Sequence, residues 1–75
     1  MRLRDLREDH DITQATLAAY LHLRQNTYSQ YENGQRQIPL DALIALARFY
    51  KVSTDFILGL TDVKTPYPPR RTDND

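Results

Sequence analysis

The sequence predicts an all-α fold: five short helices, packed as one small domain, followed by an extended tail. Three observations carry this. Apolar residues recur at three- and four-residue spacing through most of the first fifty positions, the period of a helix with one buried face. Residues suited to helix ends punctuate those segments, with Thr13 and Ser53 before helices and Gly34 and Gly59 after them. Beyond residue 60 the composition changes to TDVKTPYPPRRTDND, with three prolines, several charges and little apolar content.

Residues 2–10 read as the first helix. Leu3 and Leu6 form its buried face, and Arg7 lies near the inward edge. Arg2, Arg4, Asp5, Glu8 and Asp9 go mostly to solvent, and His10 suits the C-terminal end of the helix dipole. The run Glu8-Asp9-His10-Asp11 is not a metal site, because consecutive helical residues do not share a face and no second ligand cluster exists. Ile12 turns inward, and Thr13 caps a second helix over 14–21 whose stripe is Leu17, Ala18 and Leu21.

His22-Leu23-Arg24 is a tight turn, with Leu23 plugging the gap between helices. Histidine tolerates positive φ better than most non-glycine residues, at some cost. Arg24 stands at an N-cap position but has no acceptor oxygen with which to cap. The third helix spans 25–33 and buries Tyr28 and Tyr31; the Tyr28 hydroxyl is expected to reach the surface or a phosphate. Asn33-Gly34 closes it, since glycine accepts the left-handed conformation of a C-cap.

Gln35-Arg36-Gln37 is a polar loop, and Ile38-Pro39 leads into a fourth helix over 40–50. Leu43, Leu46, Ala47 and Tyr50 give it the strongest periodic stripe in the chain. Ser53 caps a short fifth helix over 54–58, ended by Gly59. Phe56, Ile57, Leu58 and Leu60 are more apolar residues than one short helix needs for its own core. Some of them, chiefly Phe56, Ile57 and Leu60, are therefore expected at a dimer interface.

The outward face of the third helix carries the functional signal. It presents Gln25, Asn26, Ser29 and Gln30, with no charge between Gln25 and Tyr31. A solvated helix face usually carries Glu and Lys. Amides pair in bidentate fashion with adenine N6/N7 in the DNA major groove, and a hydroxyl bonds to any base edge. An ordinary neutral helix surface would look similar, but it would not need the capped helix and tight turn that precede this one.

At this point the residues resemble a family. The spacing of Thr13-Gln14, Leu17-Ala18, Tyr31-Glu32-Asn33-Gly34, Ile38-Pro39 and Leu43 is similar to that of the helix-turn-helix domain of Cro/CI-type phage repressors, the XRE family. The resemblance covers residues 2–60. It implies a five-helix, lambda-repressor-like DNA-binding domain over 1–60; the composition beyond it makes residues 61–75 a flexible, extended or disordered Pro-rich tail. It also implies sequence-specific binding to double-stranded DNA as a transcriptional regulator, a repressor acting as a homodimer on a palindromic operator. Gln25, Asn26, Ser29 and Gln30 would read bases. Gln14, Arg24, Thr27, Asn33 and Arg36 would hold phosphates, assisted by the N–H groups that open the second helix. Arg7 would pair with Glu32, tying the first helix to the end of the recognition helix. The sequence departs from the family at His22, where glycine is usual, and at Arg24, where a Ser or Thr cap is common.

Composition bounds the alternatives. A chain of 75 residues makes one small domain with a modest core. Without cysteine there is no disulfide, zinc-thiolate site or thiol nucleophile, and no metal or cofactor is expected. No apolar run approaches a membrane span, Met1 to Asp5 begins a helix and not a signal peptide, and a cytoplasmic location at the nucleoid is expected. No fused ligand-sensing domain is expected within these 75 residues. The net charge of zero places the DNA signal in Arg24 and Arg36 and predicts a smaller salt slope than a basic homologue would show. Catalysis is not expected: Ser29, Ser53, His10 and His22 form no array, and no Gly-rich phosphate loop appears. A protein-binding role on the same fold, such as an antitoxin, is the competing reading, supported by neutral charge and the apolar end at 56–60. The run Pro66-Tyr67-Pro68-Pro69-Arg70-Arg71 reads as a solvated terminus before a polyproline ligand or a basic arm.

Overall fold

The structure is a computed structural model and describes residues 1–66. Those residues form five helices and no strand: α1 Leu3–Asp9, α2 Gln14–Tyr20, α3 Gln25–Asn33, α4 Leu40–Tyr50 and α5 Thr54–Leu58. The all-α, five-helix reading holds, and the expected helix ends differ from the observed ones by at most one residue. The expected contacts of residues 67–75, including the Pro68-Pro69-Arg70-Arg71 run, lie outside the described residues.

The helix ends show why the sequence breaks where it does. Thr13 Oγ1 accepts from the Thr16 N–H at 3.1 Å, and Ser53 Oγ accepts from the Phe56 N–H at 3.0 Å. Each satisfies one of the N–H groups that a first helical turn leaves without a partner. Gly34 takes φ 74° and Gly59 φ 83°, the left-handed caps expected of them. His22 adopts φ 58° in the α2–α3 turn, so it fills the glycine-like position with a side chain that tolerates it. Asp11 and Lys51 adopt the same conformation at the ends of α1 and α4, which the sequence reading did not anticipate. Arg24 precedes α3 with no side-chain cap.

The core takes residues from every helix, with Leu17, Tyr28, Leu46 and Ile57 wholly enclosed. Fully burying one such side chain stabilises by roughly 1.5–3 kcal/mol. Ile12, Leu21, Leu23, Ile38 and Phe49 pack around this centre. The turn that holds α2 against α3 is tied by the Leu23 N–H, which donates to the Ala18 carbonyl at 2.8 Å.

Four expectations need correction. Phe56 and Ile57 belong to the chain's own core, at 8% and 0% exposure, so neither offers area to a second subunit. Leu60, 74% exposed, does, and Leu58 and Val63 are exposed beside it in sequence. Arg2 is not a solvated charge. Its guanidinium lies 4.2 Å from the Phe56 ring centroid and donates to the Phe56 and Thr61 carbonyls and to Asp62. The domain also does not stop at residue 60, because the Ser53 N–H donates to the Lys64 carbonyl at 3.1 Å. Residues 61–64 thus fold back over α5. Finally, the Tyr28 hydroxyl does not reach the surface: the residue is 0% exposed.

Candidate nucleic-acid interface

One helix positions the candidate base-reading residues. At 3.6 residues per turn, Gln25, Asn26, Ser29 and Gln30 occupy a sector of roughly 140° on α3, with Tyr28 and Tyr31 on the opposite side. The burial pattern agrees. Tyr28 and Tyr31 are buried, Gln25 and Asn26 exposed, and Ser29 and Gln30 partly exposed. The tyrosines therefore act as the anchor that turns the amide face outward.

The candidate phosphate-binding residues lie around this face. Gln14 opens α2 and shares a shallow surface depression with Gln25 at the start of α3. Its Nε2 donates to Glu32 Oε1 at 3.2 Å, so one of its two amide hydrogens is held inside and one remains for solvent or a phosphate. Arg24 and Arg36 are exposed and form no ion pair among the described residues. They flank α3, one at its N-cap and one just beyond its C-cap. Thr27 is half-buried. Asn33 is exposed, but its Oδ1 already accepts from Arg4 Nη2 at 2.6 Å.

Beneath the face sits a buried carboxylate that locks three helices. The Glu32 side chain is wholly enclosed. Arg7 from α1 grips it with Nε to Oε2 at 2.6 Å and Nη2 to Oε1 at 3.2 Å, a bidentate pair. The remaining Arg7 nitrogen donates to the Ile12 carbonyl at 3.1 Å. Gln14 adds the contact from α2. Burial alone would raise the Glu32 carboxyl, but the hydrogen bonds from Arg7 and Gln14, with the Tyr28 hydroxyl nearby, outweigh it and hold it below the usual carboxylate range. In turn Glu32 raises the Arg7 guanidinium. The Tyr28 hydroxyl is close enough to couple to this carboxylate, yet neither it nor the buried Tyr50 hydroxyl has a partner at full hydrogen-bond geometry.

Those two hydroxyls set a pH limit. Burial first, and the nearby Glu32 carboxylate second, push Tyr50 up to about 12 and Tyr28 further still. A folded-state pKa raised above the unfolded value near 10 gives stability that is present below about pH 10 and is lost as pH rises beyond it. Thermal melts between pH 8 and pH 12 should show a steep loss beginning near pH 10. Tyr50→Phe should soften that loss, because it removes one of the two protons that folding must retain.

Sequence reasoning missed two contacts here. Gln14 was expected only at phosphate, and Arg4 was expected only in solvent. The signal for Arg4 was available: it lies three residues before Arg7, on the same side of α1. Its Nε is also 3.6 Å from Glu32 Oε1. Among the described residues no group of three His, Asp or Glu side chains could hold a metal ion, and no helix is long and apolar enough to cross a membrane.

Comparison with known proteins identifies the family of the fold. A helix-turn-helix family profile matches residues 3–57. The chain is 44% identical over 70 residues to the uncharacterized HTH-type transcriptional regulator YobD of Bacillus subtilis (strain 168), covering 93% of this chain and 62% of YobD. It is 37% identical over 62 residues to the HTH-type transcriptional regulator ImmR of the same organism, covering 83% of this chain and 49% of ImmR. It is 37% identical over 51 residues to the cryptic phage CTXphi transcriptional repressor RstR of Vibrio cholerae, covering 68% of this chain and 46% of RstR. The chain thus spans about half to three-fifths of the length of these curated relatives. No solved structure matches it.

Proposed function

The chain belongs to the helix-turn-helix family of the Cro/CI (XRE) type, and from that premise we propose that it is a sequence-specific DNA-binding transcriptional repressor. The carrying observation is the face of α3, where amides and a hydroxyl point outward over a helix anchored by two buried tyrosines. Gln25, Asn26, Ser29 and Gln30 enter the major groove and meet base edges, with adenine favoured by the amides. Arg24 and Arg36 hold phosphates at the two ends of α3, and Gln14, Thr27 and Asn33 add neutral contacts to the backbone. The names of the relatives support a regulator, and the one called a repressor, RstR, supports repression. The protein works in the cytoplasm, at the nucleoid.

The active form is a homodimer. Leu58 and Leu60 stand exposed at the end of α5 as apolar area for a second subunit, and a dimer that reads two half-sites one DNA turn apart needs its two α3 helices about 34 Å apart. The operator is then an inverted repeat. The same apolar end would serve a protein partner, but a protein-binding role alone leaves the uncharged amide face without a use.

The phosphate assignment has a quantitative test. Anisotropy titrations of one duplex over a salt series give the slope of log K against log salt. Arg24→Ala/Arg36→Ala should weaken binding to all duplexes by a similar factor and reduce that slope by about two. A wild type that binds no duplex even at low salt would remove DNA as the ligand.

A further inference from the structure

A groove of about 600 Å³ lies between the C-terminal half of α4, the turn into α5 and Pro66. It includes neither the amide face of α3 nor the exposed leucines at the end of α5. Ala47 and Val52, both buried in the core, form its floor, and Ile44 and Pro66 add apolar wall. The segment that leads to Pro66 is pinned nearby, where the Ser53 N–H donates to the Lys64 carbonyl at 3.1 Å. Two cations complete the lining. Arg48 and Lys51 are exposed and form no ion pair among the described residues. Lys51 is the C-cap of α4, at φ 57° and ψ 46°. That left-handed conformation suits glycine and costs a residue with a side chain. Gly34 and Gly59 fill the same position after α3 and α5. Of these three caps only the one beside the groove carries a side chain, and that side chain lines it.

We infer that this groove binds a small amphipathic carboxylate. Its apolar body lies along Ile44, Ala47, Val52 and Pro66, and its carboxylate meets Arg48 and Lys51. A concave, mostly apolar surface with a few charged groups at one edge is the usual build of a small-molecule site, and the volume falls within the usual range of about 300–1,000 Å³. Guanidinium and ammonium groups donate and do not accept, so the head group they suit is an anion, and the arginine fork matches a carboxylate. A nucleic-acid strand does not fit, because the apolar wall offers nothing to its hydrated sugar–phosphate backbone. A basic residue also favours the C-terminal end of a helix dipole, but Arg48 supplies that in the last turn of α4 without the backbone cost that Lys51 carries. The inference does not depend on the DNA-binding proposal, since no residue of α2 or α3 lines the groove.

The test is titration of the full chain with octanoate, octanol and octyltrimethylammonium, each below its micelle or solubility limit, followed by nitrogen–proton correlation NMR. Octanoate should shift the amide signals of Ile44, Ala47, Val52 and their neighbours in a saturable way. Octanol, which keeps the apolar body and lacks the charge, should bind roughly threefold to tenfold more weakly, since two exposed ion pairs contribute modestly. Octyltrimethylammonium should bind more weakly still. Arg48→Gln/Lys51→Gly removes both cations with substitutions that suit the helix and its left-handed cap, so circular dichroism should show it folded. It should bind octanoate and octanol alike. Octanoate that causes no saturable shift at the groove overturns the inference, as does equal binding of the three probes by wild type. A variant that still prefers octanoate also overturns it. In the free protein, contacts from residues 67–75 to Ile44 or Val52 would give the groove to the chain's own terminus, and groove signals that move on dilution would give it to a second copy. Either result overturns the small-molecule assignment.

Discussion

Arg7→Ala should destabilise the domain by about 3–5 kcal/mol, the usual cost of leaving one partner of a buried ion pair without the other. The Glu32 side chain is wholly enclosed and takes two hydrogen bonds from Arg7. Removing Arg7 leaves a carboxylate with only Gln14, the imperfectly placed Tyr28 hydroxyl and the half-exposed Arg4 guanidinium at 3.6 Å. A domain of this size has little stability in reserve, so the variant should be largely unfolded at 37 °C. Urea denaturation followed by circular dichroism checks this. The pair need not be worth much in itself, because an apolar replacement of similar volume often does as well. Arg7→Leu/Glu32→Leu should therefore recover most of the loss. If it does, and yet binds DNA poorly, the pair's contribution is to orient α3 against α1 more than to stabilise the fold.

The second large effect is on specificity. Gln25→Ala/Gln30→Ala should lose about 2–6 kcal/mol of discrimination between the selected site and random DNA, taking each bidentate amide–adenine pair at about 1–3 kcal/mol. Both side chains point away from the core, so melting temperature should stay within a few degrees of wild type. The weak, salt-sensitive binding to any duplex should persist, since Arg24 and Arg36 are untouched. Competition assays with specific and random duplexes read both quantities at once. Equal losses on both kinds of DNA would mean that the two glutamines support the backbone and do not read bases.

Most of the fold was legible in the sequence because its helix ends are written in local chemistry. Thr13, Ser53, Gly34 and Gly59 each act within a few residues of themselves, and each sits where its side chain or its lack of one requires. The tyrosines of α3 were legible for the same reason, since their spacing alone puts them on one face. What could not be read was where long side chains go. Arg2 and Arg4 look alike in sequence, two charges on a short helix. In the structure Arg2 crosses to α5, and Arg4 crosses to the end of α3. These are contacts over 54 and 29 residues; the spacing to Arg7 puts Arg4 on the right side of α1, but nothing local names the partner of either arginine. Phe56 and Ile57 were misread for a related reason. Apolar content was counted against α5 alone, whereas the fold also brings Arg2 and Lys64 onto the Phe56 ring, within 4.2 Å and 6.0 Å of its centroid. The Arg7–Glu32 pair became an expectation through family resemblance, since 25 residues separate the partners.

The central claim is that α3 reads base edges, and selection from a fully randomised duplex library with the wild-type protein tests it most directly. An enriched inverted repeat, with half-sites about 10–10.5 base pairs apart centre to centre and adenines at the positions facing Gln25 and Gln30, is the predicted result. A pool that remains random after repeated rounds, while the protein stays folded and still binds duplex at low salt, would contradict it.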